Sequence, residues 1–119
     1  MKILTVDDAL TVRTMVRNIL EENGHKVDEA ENGVVAINLL EKEKDYDLIL
    51  LDWEMPEMDG LTFLTKIKEE NVAPNTKVVM LTSLNKMANI LKAMDAGADE
   101  YIMKPFTPEI VLEKIDSIM

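Results

Sequence analysis

The chain has 119 residues, 47% hydrophobic and 30% charged, enough for one domain that buries about two-thirds of its unfolded surface around its own core. With no cysteine and a single histidine, His25, it excludes disulfides, thiolate metal sites, cysteine nucleophiles and histidine-cluster metals. Thirteen basic and 23 acidic residues leave a net charge of −10, which disfavours direct nucleic-acid binding and suits cations and basic protein surfaces.

Short apolar runs alternate with helical periods along the whole chain. Residues 3–6 read as a first strand. Val12, Met15, Val16 and Ile19 recur at i, i+3, i+4 and i+7 and predict a first helix, capped at Gly24. After the Asn23-Gly24 turn signal, the more polar residues 26–29 predict an edge strand. Ala36, Leu39 and Leu40 mark a second helix, and the run Glu41-Lys42-Glu43-Lys44-Asp45 reads as its solvated end. Residues 48–51 lack polar alternation, the pattern of a strand buried on both faces. Leu61, Leu64 and Ile67 give a third helix with Gly60 at its start, and Pro74-Asn75 mark the loop before a strand at 78–81. Met87, Ile90, Leu91 and Met94 give a fourth helix, starting near Asn85 and capped at Gly97. Residues 101–103 give a fifth strand. Thr107-Pro108 then open a last helix with the stripe Val111, Leu112, Ile115 and Ile118.

The order is β-α five times. It predicts an α/β fold with a parallel sheet and helices on both faces, because parallel neighbours need right-handed crossovers. The expected organisation is one domain over residues 1–119, without repeats or linkers. No signal-peptide pattern and no bilayer-length apolar run is present, so a cytoplasmic protein without membrane insertion is expected. Met15, Met87 and Met94 are assigned to core-facing stripes and Met80 and Met103 to strands. The nine methionines therefore read as core and not as a partner groove. His25 reads as an exposed loop histidine far from the reactive end of the sheet.

In open α/β sheets ligands bind outside the carboxyl ends of the strands. The first strand runs into Asp7-Asp8, the third into Asp52-Trp53-Glu54, the fourth into Thr82-Ser83 and the fifth into Lys104-Pro105. If the first and third strands are neighbours, three aspartates share one crevice. Two carboxylates about 5 Å apart repel by roughly 3 kcal/mol at an effective dielectric near 20. The cluster therefore calls for a raised pKa, an ammonium neighbour such as Lys104, or a divalent cation. All-oxygen ligands favour Mg²⁺, and carboxylates, Mg²⁺, a lysine and a hydroxyl on one rim suit phosphoryl transfer.

Asp7-Asp8, the segment from Asp52 to Gly60, Thr82-Ser83, Ala96-Gly97-Ala98 and Lys104-Pro105-Phe106 together resemble a response-regulator receiver domain of the CheY-like, single-domain chemotaxis type. The resemblance implies the flavodoxin-like strand order 2-1-3-4-5, of which CheY is a known example. It also implies Asp52 as phosphoacceptor for a histidine kinase, with Lys104 and Thr82 contacting the phosphoryl group. Asp7, Asp8, Asp52 and the backbone carbonyl of Glu54 become the expected Mg²⁺ ligands. Thr82 and Tyr101 become the switch, and Lys104-Pro105 a cis peptide. Small Ser83 leaves the carboxylate accessible, and Met55-Pro56 shape the loop. The Glu54 side chain and Leu84 occupy positions that tune the phosphoryl lifetime, and the acidity of Glu54 departs from many chemotaxis members.

The implied function is a phosphorylation-activated receiver that binds a downstream target through its fourth helix, fifth strand and fifth helix. Lys86, Lys92, Glu100, Glu109, Glu113 and Lys114 are the expected exposed residues there, and the flagellar motor switch is the expectation for the target. It is not a conventional enzyme, since it promotes only its own phosphorylation and dephosphorylation. The alternatives are a receiver cut from a longer regulator and a Mg²⁺-dependent aspartyl phosphohydrolase. The absence of a linker favours a stand-alone regulator over the first. The lack of a cap or substrate-specificity insertion disfavours the second.

Overall fold

The apolar runs pair into a parallel sheet in a computed structural model that describes residues 1–43, 45–55, 58–83 and 87–119. Among these residues the elements are β1 (Lys2–Val6), α1 (Leu10–Glu22), β2 (Lys26–Ala30), α2 (Gly33–Lys42), β3 (Leu48–Asp52), α3 (Gly60–Glu69), β4 (Lys77–Thr82), α4 (Met87–Asp95), β5 (Glu100–Met103) and α5 (Pro108–Ile118). The strand order is β2-β1-β3-β4-β5. The chain steps outward from β1 to β2 and then crosses to β3 on the other side. The crevice above β1 and β3 is thus the switch point where such sheets bind ligands. The register sets Val6 beside Leu51, Asp52 beside Leu81 and Thr82 beside Met103, so the carboxyl ends finish at nearly one level.

Strand alternation sorts the core into two layers. Ile3, Leu48, Leu50, Val79, Leu81 and Ile102 face one side, where Val16, Ile19 and Leu20 of α1 and Val111 and Ile115 of α5 cover them. Leu4, Val6, Ile49, Leu51, Val78 and Met80 face the other side, under Ala36 and Leu40 of α2, Phe63, Leu64 and Ile67 of α3 and Ala93 of α4. Every residue of β3 is buried, which its unbroken apolar run requires. Polar β2 lies at the edge, as its composition predicts. The helix starts follow side-chain chemistry. Asn32, Asp59 and Thr107 accept hydrogen bonds from Val35, Thr62 and Ile110 backbone amides at the heads of α2, α3 and α5. Gly24 and Gly97 follow α1 and α4 at φ +85° and +112°, a conformation glycine reaches without Cβ strain.

The methionine assignment is corrected. Met15 is 47% exposed, Met87 67% and Met94 37%, and Leu91 also points outward. In α1 the buried stripe is Val16, Ile19 and Leu20, which leaves Met15 on its flank. In α4 only small Ala93 is fully buried and Ile90 is half-buried, so Met87, Leu91 and Met94 of the stripe lie on the outer side of the helix. His25 is half-buried and not an exposed loop residue, with its Nδ1 3.2 Å from the Met1 amine; burial pushes its pKa down. The expected features at Lys44, Pro56, Leu84, Asn85 and Lys86 lie outside the described residues, as does Glu57.

Gly60 is the tightest backbone approach to the reactive end of the sheet. Its amide donates to the Trp53 carbonyl at 2.8 Å, and a Cβ at this position would lie 2.4 Å from the Asp52 carbonyl oxygen. Both obstacles are backbone, so a side chain here must displace the turn that carries Asp52. Gly60→Ala is expected to cost about 1–3 kcal/mol in urea denaturation, the range for overpacking a close contact. An unchanged midpoint would mean the turn yields freely.

Candidate functional site

Four strand ends bring the chemistry-bearing residues together. Asp7 follows β1, Asp52 ends β3, Thr82 ends β4 and Lys104 follows β5. Alternation places Asp7 and Asp52 in the rows of Thr5 and Leu50, so both carboxylates rise on the α1/α5 side of the sheet. Asp7 and Asp52 are only 2% and 3% exposed, whereas neighbouring Asp8 is exposed. One oxygen from each of the three lies within 4.8 Å of the others, so Asp7, Asp8 and Asp52 form a group able to hold a metal ion.

Lys104 Nζ donates to Asp52 Oδ1 at 2.6 Å and stands 3.8 Å from Asp7 Oδ2. Asp7 Oδ1 accepts the Ala9 amide at 2.8 Å, while its buried Oδ2 has no hydrogen-bond partner among the described residues. Burial of the carboxyl, reinforced by the charge of Asp7 and opposed by Lys104, pushes Asp52 up from 3.8 to about 6. Burial likewise raises Asp7, against the pull of the Ala9 amide and Lys104. Burial works to lower Lys104, but its bond to Asp52 and the surrounding carboxylates prevail and raise it. The ammonium therefore stays charged beside two reluctant carboxylates. The Lys104-Pro105 peptide is cis.

Thr82 is buried at 3% exposure at the end of β4. Glu54 is exposed and reaches across from the loop after β3. Its Oε1 accepts the Ser83 amide at 3.0 Å and the Ser83 hydroxyl at 2.5 Å. The Ser83 hydroxyl is the chief reason the Glu54 carboxyl sits below the usual range, with smaller help from Lys104 and Thr82. Ser83, read from sequence only as a small residue, is thus the anchor for Glu54. Tyr101 is half-buried on β5 against the α2/α3/α4 layer, with Lys114 Nζ 4.9 Å from its ring centre. Sequence reasoning also missed Arg13, whose Nη1 donates to the Asp7 carbonyl at 2.6 Å. Its place in the first turn of α1, six residues after Asp7, was the available signal.

The family model of the response regulator receiver domain matches residues 3–116. A chemotaxis protein CheY homolog of Campylobacter jejuni is 40% identical over the full chain and 92% of its own length. Chemotaxis protein CheY4 of Vibrio cholerae superposes with a TM-score of 0.92 at 30% identity, covering 99% of this chain and 98% of that one. A response regulator from Burkholderia pseudomallei, whose structure contains a phosphorylated aspartic acid and a calcium ion, gives a TM-score of 0.86 at 26% identity over 95% of this chain and 65% of that one. The chain belongs to the response regulator receiver domain family, in its CheY-like branch. Among the described residues no helix is long and apolar enough to cross a membrane.

A carboxyl whose native pKa exceeds its unfolded value holds its proton more tightly when folded. Its ionisation therefore costs stability as pH rises through about 4 to 6, and the cost is fully present at pH 7. In metal-free buffer, Asp52→Asn is expected to be more stable than wild type at pH 7 by about 2–3 kcal/mol. The advantage should vanish below about pH 4, where the native carboxyl is already neutral. Urea midpoints at several pH values read this directly; a variant less stable than wild type at pH 7 would show that the Lys104 bond outweighs the burial cost.

Proposed function

We propose that the chain is a single receiver domain over residues 1–119 that accepts a phosphoryl group on Asp52 from a histidine kinase and switches the surface it offers to a target. The observation that carries this reading is the buried Asp52 carboxylate, 2.6 Å from Lys104 within a three-aspartate cluster. At neutral pH a carboxyl titrating near 6 is largely ionised and competent as a nucleophile. One Asp52 oxygen attacks the phosphorus of the phosphohistidine. The P–N bond breaks, its electron pair leaves with the imidazole, and Asp52 becomes an acyl phosphate. Lys104 neutralises the oxygen it already touches and is placed to follow negative charge onto the phosphoryl group. Asp7, Asp8 and Asp52, with the Glu54 carbonyl, are the residues that would hold Mg²⁺. The all-oxygen set and the unpartnered buried oxygen of Asp7 fit a hard cation. When bound, Mg²⁺ would supply charge neutralisation for the transferring group.

In this reading the Thr82 hydroxyl takes a phosphoryl oxygen, and Tyr101 responds by moving toward the end of β4. The exposed apolar side chains of α4 support the α4-β5-α5 face as the output surface. Met87 and Leu91 project outward and Lys92, Glu109 and Glu113 are exposed, whereas Glu100 and Lys114, expected to be exposed, are half-buried because they pair at 3.4 Å and Lys114 lies over the Tyr101 ring. The names of the relatives favour a chemotaxis role. Beyond those names, we propose a cytoplasmic setting and a flagellar motor switch as target. The chain catalyses its own phosphorylation and dephosphorylation and turns over no other substrate.

Trp53, the sole tryptophan, adjoins Asp52 and reports the test. Its fluorescence is expected to change with Mg²⁺ and change again, reversibly, with acetyl phosphate. Asp52→Asn should lose the second step; a second step that survives this substitution would move the phosphoacceptor elsewhere. The exposed Glu54 carboxylate repels an incoming anionic donor. Glu54→Gln is therefore expected to speed phosphorylation by acetyl phosphate about two- to fivefold at low ionic strength, the gain shrinking as salt is added. An equal rate in both proteins would show that the Glu54 charge does not slow the approach of the donor.

A further inference from the structure

Asp7 is held at both ends of its peptide by the same stretch of β2. Its amide donates to the Ala30 carbonyl at 3.1 Å, continuing the β1-β2 ladder past the last residue of β1. Its carbonyl accepts Nη1 of Arg13 at 2.6 Å, and Nε of the same guanidinium donates to Glu29 Oε1 at 3.2 Å. Glu29 precedes Ala30, and its other oxygen accepts Arg17 Nη1 at 2.7 Å. The Arg13 side chain is only 13% exposed. A planar fork with two of its donors aimed at two fixed oxygens sets a direction as well as a charge, which a lysine cannot reproduce.

We propose that Arg13, oriented by Glu29, is a positioning residue that fixes the β1–α1 turn so that Asp7 and Asp8 present their oxygens to a divalent cation before the cation arrives. The inference rests on the metal-site reading above and adds a determinant outside the ligands. Outer-shell groups that orient ligands change metal affinity about 10- to 100-fold when removed. Two mechanisms predict opposite signs here. If Arg13 mattered only as a nearby positive charge, deleting it would tighten cation binding at an acidic cluster. If it positions Asp7, deleting it weakens binding although a repulsive charge has gone. Arg17 shares Glu29 but does not bond Asp7, so it is the charge-matched control.

The test is Mn²⁺ binding to the intact chain, read from the electron paramagnetic resonance signal of the free ion and reversed with Mg²⁺, with far-ultraviolet circular dichroism verifying the fold of each variant. Arg13→Gln is expected to weaken Mn²⁺ about tenfold, Arg13→Lys to weaken it less, and Arg17→Gln to leave it equal or tighter. Wild-type binding with equal or tighter affinity in folded Arg13→Gln would overturn the positioning role and leave the metal site standing. Should Arg13→Gln fail to fold, Arg13→Lys decides, and wild-type affinity in that variant overturns the role. Wild-type protein that binds no Mn²⁺ overturns the metal-site reading and this inference with it.

Discussion

Two buried carboxylates held beside one ammonium set the terms for everything around them. Asp7 and Asp52 sit almost without solvent, and Lys104 bonds one and approaches the other. With exposed Asp8 the cluster carries three carboxylates against one cation, leaving two negative charges unbalanced. Burial favours the neutral acids and, with a smaller push from the neighbouring carboxylates, raises Asp52 and Asp7. The arrangement is costly to the fold and suited to a doubly charged cation followed by a phosphoryl group. Destabilised sites of this kind are where stability is given up for function.

The sheet tolerates the cost because its central strand β3 is otherwise wholly apolar. Five residues of β3 are buried, and Asp52 ends the run where the sheet meets solvent. Moving the aspartate two residues earlier would keep its facing and bury it within the α1/α5 layer, beyond reach of any donor. Moving it one residue would turn it to the opposite layer. The site depends on strand length and phase as much as on the aspartate itself. Gly60 adds a backbone condition, since the α3 start lies so close to the Asp52 carbonyl that no side chain fits between.

The strands legible in the sequence share one property, in that their partners are generic apolar neighbours. β1, β3 and β4 announce themselves as apolar runs that only a sheet covered on both faces can bury. The three aspartates, Thr82 and Lys104 are legible because strand ends are countable. The orientation of α4 is different. Its spacing shows an amphipathic helix, but which side meets the sheet depends on Ala93, the small residue that permits close approach. The stripe of Met87, Leu91 and Met94 looks like core by pattern and lies on the surface by packing. The Glu54–Ser83 bond is illegible, because no periodicity encodes a pairing between one loop and another, and the Arg13–Asp7 bond is signalled only by the nearness of the two residues in the chain.

Those two unread contacts divide the labour around the site. Arg13 and Glu29 tie the acidic turn to β2 through a largely buried guanidinium with fixed geometry. Glu54 ties the loop after β3 to the end of β4 through exposed groups. An exposed hydrogen bond competes with water and contributes little, whereas a largely buried two-acceptor contact is expensive to disrupt. The rigid half therefore belongs to the side that must hold aspartates in register, and the compliant half to the side that bears Thr82. An anion arriving on Asp52 would meet the Glu54 carboxylate as a like charge competing for the same strand end. On the proposed reading, signalling needs that asymmetry. A metal-holding turn that moved would lose the cation, and a β4 end that could not move would have nothing to transmit to α4.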